Sequence, residues 1–162
     1  MQELQVNLFF VGIKHSGKTT FAKRISSRLS LPSFDTDDLI LLSLNGESVR
    51  DFYKREGKEA FMKKEVEAVS SFISSHHTSP FILSLGGGAA DNDPLMSILH
   101  ENGKIVYLKR NEEDMLGVIL YERRNAIYEK QADLTIDLGP YGDKKATEDY
   151  IWSFLKEKNY VR

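Results

Sequence analysis

Short apolar runs recur along the chain, each ended by glycine or a turn, and longer stretches with helical spacing separate them. Val6 to Gly12 is the first such run, rich in aromatic and branched residues, and reads as a buried strand. Thr20 to Leu31 follows with Phe21, Ile25 and Leu29 on one face and Lys23, Arg24 and Arg28 on the other, and Pro32 closes that helix. A short second strand is expected at Ser33-Phe34, running into Asp35-Thr36-Asp37-Asp38. Ser48 to Gly57 and Lys58 to Ser75 favour helix, the latter with Phe61, Val66, Val69 and Phe72 as one apolar stripe. Pro80 to Leu85 predicts another strand, stopped by Gly86-Gly87-Gly88. Then come a short helix over Pro94 to Glu101, a strand over Lys104 to Leu108 and a helix over Asn111 to Gln131. A strand over Leu134 to Leu138 and a closing helix over Ala146 to Lys158 complete the series. Strands that are apolar throughout, alternating with helices, predict a parallel sheet covered on both faces. The expected fold is thus a three-layer α/β domain over residues 1–162.

Composition narrows the chemistry. The 162 residues carry 22 Lys and Arg against 24 Asp and Glu, a net charge of −2, without the basic excess a nucleic-acid binder of this size would carry. The chain has no cysteine, so disulfides, thiolate metal sites and cysteine nucleophiles are excluded. No apolar run is long enough to span a membrane, and Met1 to Gln5 lacks a signal peptide's pattern, so a cytoplasmic monomer is expected.

Gly12-Ile13-Lys14-His15-Ser16-Gly17-Lys18-Thr19 matches the phosphate-loop pattern G-x-x-x-x-G-K-[ST], between a buried strand and an amphipathic helix. The glycines let backbone N–H groups turn inward on a phosphate, and the helix N-terminus adds positive partial charge. Lys18 supplies a point charge, and the Thr19 hydroxyl is a ligand for Mg²⁺. Gly12, Lys14, His15, Ser16, Gly17, Lys18, Thr19 and Thr20 are therefore the candidate nucleotide-binding residues. An Asn-Lys-x-Asp stretch for guanine is absent, which favours ATP. Asp35 and Asp37 can aim at one small site, one toward the metal and the other toward a hydroxyl; alone they read more plainly as an Asp-rich turn or helix cap, but beside the phosphate loop and the glycine triplet the site reading prevails. Gly86, Gly87 and Gly88 can expose bare backbone to a substrate or simply make a tight turn. His76-His77 reads as a helix end rather than a zinc site, and Trp152 as core.

The ordered series resembles shikimate kinase, a small nucleoside-monophosphate-kinase-like family. The series comprises the phosphate loop, Phe34-Asp35-Thr36-Asp37, Gly57-Lys58-Glu59-Ala60-Phe61 with Glu65, Ile82 to Ala89, Ile105 to Leu108, and Arg124 to Tyr128 with Ala132-Asp133. The resemblance implies a five-stranded parallel sheet of P-loop kinase type and phosphoryl transfer from Mg·ATP to a hydroxyl of a small carboxylated alcohol, shikimate first. It also leaves open another acceptor, such as a sugar acid, or a catalytically weak nucleotide-binding protein that acts through partners. It implies Lys18 and Asp37 as catalytic residues, and Thr19 and Asp35 as metal ligands. Asp37, Gly86, Gly87, Gly88 and Arg124 would bind the acceptor, Arg124 through its carboxylate.

Three positions depart from the family. Met62 stands where the family has an Arg clamp on the acceptor carboxylate. The segment Lys109 to Arg123 is too short for the family's lid and its Arg. Asn111 to Leu120 contains no Arg to stack on adenine, for which Arg110, Arg123 or Arg124 are candidate substitutes. Glu65, without an Arg at position 62, is left to pair near Lys18 or with Arg124.

Overall fold

The computed structural model describes residues 2–110 and 118–162. Five strands, β1 (Leu8–Val11), β2 (Phe34–Asp35), β3 (Ile82–Ser84), β4 (Lys104–Lys109) and β5 (Leu134–Asp137), form one parallel sheet in the order β2-β3-β1-β4-β5. Seven α-helices and a single 3₁₀ turn (Ala89–Asp91) accompany them among the described residues: α1 (Lys18–Arg28), α2 (Thr36–Leu42), α3 (Val49–Glu56), α4 (Lys58–Ser75), α5 (Asp93–Asn102), α6 (Val118–Gln131) and α7 (Lys144–Glu157). The expected α/β sandwich with a five-stranded parallel sheet is the observed one. None of these helices is long and apolar enough to cross a membrane.

Continuous apolar strands follow from burial on both faces. In β1, Leu8 and Phe10 turn toward α1 and α7, into one cluster with Ile25, Ile151 and Leu155. Phe9 and Val11 turn the other way, toward Val69, Leu95, Leu99 and Tyr128. All four β1 side chains are fully buried. Trp152 belongs to the first cluster, as expected, and the Arg28 guanidinium lies 4.3 Å above its ring. A third, smaller cluster of Ile40, Leu44 and Phe52 joins α2 and α3 to α4.

Several boundaries differ from expectation. The helix-cap reading of the Asp-rich turn is the observed one: Asp35 caps α2 by accepting from the Asp37 amide at 2.8 Å, so this turn is a helix start as well as a strand end. Phe61 leaves the predicted stripe and packs in the third cluster, while Val69 and Phe72 face the sheet. The last helix begins at Lys144, because Asp143 caps it through the Ala146 amide. Residues 111–117 of the helix expected over Asn111 to Gln131 lie outside the described residues, as does part of the segment read for a missing lid and adenine Arg.

Strand order decides where chemistry can occur. The chain leaves β1 at the centre of the sheet, goes to β2 on one side, and later fills β4 and β5 on the other. A crevice therefore opens beyond the carboxyl ends of β1 and β3, the place where open α/β sheets bind ligands.

Candidate active site

The loop from Gly12 to Gly17 curls between β1 and α1. Gly17 has φ 97°, in the left-handed region where glycine is unstrained, and His15 has φ 72°. A Cβ at Gly12 would collide with Ser16 and sit 3.0 Å from the Leu108 carbonyl, so only glycine lets this loop close on β4. The first turn of α1 carries no side-chain cap and no acidic residue, leaving its N–H groups for an anion. The Ser16 Oγ is buried without a hydrogen-bond partner at the same place. His15, one of the candidate nucleotide-binding residues, is exposed at the loop tip.

Lys18 is 7% exposed. Burial lowers its pKa, and the nearby Asp35 and Asp37 carboxylates oppose that shift. The Thr19 Oγ1 lies 3.2 Å from Asp35 Oδ2, to which it donates, and 3.2 Å from the Ser84 hydroxyl. Pairing of β2 with β3 sets Asp35 opposite Ser84, so the three oxygens converge by sheet register. Such a set of few hard oxygens suits Mg²⁺ that keeps waters and nucleotide phosphates as its other ligands. The uncapped helix, the orphaned Ser16 hydroxyl and the buried Lys18 fit the triphosphate. Ser84 was not among the expected site residues; the only hint was a polar residue inside an apolar strand.

Asp37 projects from the first turn of α2, exposed at the crevice. Desolvation by the crevice wall and the neighbouring Asp35 charge raise its carboxyl above the usual aspartate value. Thr36 is buried and accepts from the Gly86 amide at 2.9 Å. A Cβ at Gly86 would lie 3.7 Å from Asp37 Oδ1, 3.7 Å from Thr36 Oγ1 and 3.8 Å from Glu65 Oε2, so those oxygens surround one bare stretch of backbone. Gly87 instead abuts the Lys14 backbone of the phosphate loop, 3.1 Å from where its Cβ would be, and Gly88 faces Arg124. The glycine triplet thus both turns and packs. Tyr128 fixes it, donating to the Gly87 carbonyl at 3.2 Å and accepting from the Ala90 amide at 3.1 Å.

A cavity of about 750 Å³ opens beside Asp37, with Met62, Glu65, Gly88, Asp91 and Arg124 in its lining, and with Arg50, Lys54 and Lys58 also reaching it. Two expected partnerships differ here. Glu65 is 2% exposed and accepts from Asn92 Nδ2 at 3.1 Å, with no ion pair among the described residues; burial pushes its carboxyl up to about 7. Arg124 pairs with Asp91, Nη2 to Oδ2 at 3.1 Å, and Arg123 reaches the same carboxylate. Asp91 and Asn92 carried no sequence signal.

Arg110 is buried and donates to the carbonyls of Ser16, Gly139 and Pro140 at 3.1, 3.2 and 3.2 Å. Its guanidinium lies 4.3 Å from the Tyr141 ring, and Tyr141 itself donates to the His15 carbonyl. This arginine braces the phosphate loop from behind, and its place under the loop corrects the reading of it as a group free to stack on adenine. Arg123 and Arg124, the other two candidates, are committed to Asp91. His76 accords with its helix-end reading: Nδ1 lies 2.9 Å from the Phe72 carbonyl and the ring stacks on Phe72 at 4.0 Å. No cluster of three metal-ligating His, Cys, Asp or Glu side chains occurs among the described residues.

A family model described as shikimate kinase matches residues 14–120. The chain belongs to the shikimate kinase family. It is 31% identical over 123 residues to the shikimate kinase of Paracidovorax citrulli, covering 76% of this chain and 66% of that one. It is 28% identical over 174 residues to that of Dictyoglomus turgidum, covering 94% and 97%. The chain spans only 66% and 59% of the lengths of the relatives from Paracidovorax citrulli and Dechloromonas aromatica. Among solved structures, shikimate kinase from Aquifex aeolicus aligns with TM-score 0.79 at 22% identity, covering 94% of this chain and 98% of that one. The Acinetobacter baumannii enzyme in complex with shikimate aligns with the same score at 21% identity, covering 96% of each. At those identities the structures speak for the fold.

Proposed function

We propose that this chain transfers the γ-phosphoryl group of Mg·ATP to a hydroxyl of a small alcohol, with shikimate, the acceptor named for its relatives, as the reference compound. The observation that carries this reading is the placement of Lys18 between two carboxylates of opposite duty. Asp35 faces Thr19 and Ser84 on the metal side, and Asp37 faces the cavity on the acceptor side.

The backbone amides of Gly12 to Thr19 cradle the β- and γ-phosphates, and Lys18 neutralises charge as the phosphoryl group moves. Thr19 and Asp35 would hold Mg²⁺, which would supply further charge neutralisation. The acceptor oxygen attacks the γ-phosphorus as the bond to the β–γ bridging oxygen breaks. ADP leaves, and the hydroxyl proton passes to Asp37. The raised proton affinity of Asp37 suits that duty, because a carboxylate closer to neutral pH is a stronger base. Glu65, which lines the cavity, orients a further hydroxyl, and Asn92 holds Glu65 in place.

The test is acceptor-dependent release of ADP in the presence of Mg·ATP, repeated with Asp37→Asn. Transfer that persists undiminished in that variant would remove Asp37 from the reaction.

A further inference from the structure

We infer that Arg50, Lys54 and Lys58, a row of cations on α3 and at the start of α4, give the acceptor's carboxylate its second grip beside Arg124. This rests on the proposed phosphoryl transfer and names further binding residues for the same site.

Arg124 reaches the cavity from α6 and supplies part of the grip. Among the described residues its guanidinium is bonded only through Nη2, which donates to Asp91 Oδ2 at 3.1 Å, so donors remain for an anion. A carboxylate has two oxygens with about four lone-pair sites, and a guanidinium that already serves Asp91 leaves some of them unmet. Met62 borders the same cavity and has no donor to offer.

Arg50, Lys54 and Lys58 border the cavity that Asp37, Met62 and Arg124 also line. Arg50 and Lys54 lie four residues apart on α3 and so share one face of that helix. Arg55, one residue on, turns about 100° away. It is committed elsewhere, to Glu47 at 2.7 Å and Glu56 at 2.8 Å. The three cations of the row have no ion pair or hydrogen bond among the described residues.

The fold does not reward positive charge at two of these positions. Arg50 stands in the first turn of α3, and Lys58 is the first residue of α4, where the helix dipole disfavours a cation. An anion entering the cavity accounts for charges placed there without carboxylate partners. The same wall carries apolar surface from Val49, Tyr53 and Phe61, the last two rings meeting edge-on at 5.4 Å. A carboxylated ring matches this pattern. Its ring lies on the apolar wall, its hydroxyls meet Asp37 and Glu65, and its carboxylate meets Arg124 and the row. Each cation of the row is exposed, so solvent weakens its individual hold and the grip is shared among three.

Shikimate and its methyl ester carry the same hydroxyls and differ in the charge of one group, which makes them the probe pair. Their affinities for the Mg·ADP complex are measured by calorimetry, and their phosphorylation by Mg·ATP by release of ADP. The triple variant Arg50→Gln/Lys54→Gln/Lys58→Gln should bind shikimate about tenfold more weakly and leave the ester within about twofold. Its KM for shikimate should rise in step while kcat changes little, because the carboxylate is held alike before and during transfer. Added salt should weaken shikimate binding to the natural chain more than to the triple variant. Arg55→Gln removes a charge from the other face of α3 and should alter neither affinity. The single changes Lys54→Gln and Lys58→Gln, each expected to cost about two- to fivefold, decide the matter if the triple variant melts early. Unchanged shikimate affinity in the folded variants overturns the inference, as does an equal loss for shikimate and ester, which would mean that the row only shapes the wall. Failure of the natural chain to bind shikimate overturns it too. The first two results leave the proposed transfer standing. Binding is read apart from transfer, so absence of transfer to any alcohol would remove the proposed function separately.

Discussion

Replacing Glu65 by Gln should stabilise the protein, and the gain should depend on pH. Glu65 is buried beside the acceptor cavity and, among the described residues, has a hydrogen bond from Asn92 and no ion pair. Its carboxyl holds the proton up to about pH 7 in the folded chain, against an ordinary value of 4.5. Between those values the folded state binds more protons than the unfolded state, so stability falls as pH rises through that window. The penalty is absent well below 4.5 and complete above 7. A rise from 4.5 to about 7 corresponds to about 3 kcal/mol. Gln carries no charge at any pH and keeps a carbonyl for the Asn92 donor, so Glu65→Gln should recover most of that at pH 8 and less than about 1 kcal/mol at pH 5. In a domain of this size the pH 8 gain is a rise in melting temperature of about 6 to 12 °C. Denaturant unfolding of the ligand-free chain and the variant at both pH values is the assay. A variant less stable than the natural chain at pH 8 would refute the reasoning, as would an equal difference at both pH values. Glu65 would then have a cationic partner in solution.

Mg·ATP should raise the melting temperature of the natural chain, and Lys18→Ala should remove most of that rise, read by thermal shift. Asp37→Asn should cut turnover by about two to four orders of magnitude while ADP affinity, read by calorimetry, stays nearly unchanged. In the natural chain the acid limb of the rate profile should lie above the usual aspartate range, because Asp37 holds its proton longer than a free carboxyl. Met62→Arg places a guanidinium in the cavity that Glu65 and Asp91 line. It should raise shikimate affinity by about one to two decades, measured beside the natural chain. A natural chain that already binds shikimate tightly, with the variant weaker, would show that another group holds the carboxylate.

The layer architecture was readable because each strand is buried on both faces and so appears as an unbroken apolar run. Leu8, Phe9, Phe10 and Val11 split two and two between the sheet's faces, yet leave one signature. The phosphate loop was equally legible, since its glycine spacing answers a local need of the backbone. The extent of short α2 was less so, because the two readings of Asp35 hold together: it caps that helix through Asp37 and faces Thr19. The acceptor side was harder. Its partners come from distant segments, with Asp91 to Arg124 and Glu65 to Asn92 both joined only by the fold. Arg110 misled for the same reason. A lone arginine after a strand looks available, and only the return of Gly139, Pro140 and Tyr141 to the loop shows where its donors go.

The central claim is that Asp37 and Lys18 bring an acceptor hydroxyl and the γ-phosphoryl group of Mg·ATP together in one crevice. Phosphorus NMR of the chain with Mg·ATP and, in turn, shikimate, shikimate methyl ester and uncharged polyols tests it most directly. A new phosphomonoester signal should grow with ADP for at least one acceptor and should be lost in Asp37→Asn. Tight ATP binding with no phosphomonoester from any acceptor would contradict the claim and leave a protein that holds nucleotide without transferring phosphate.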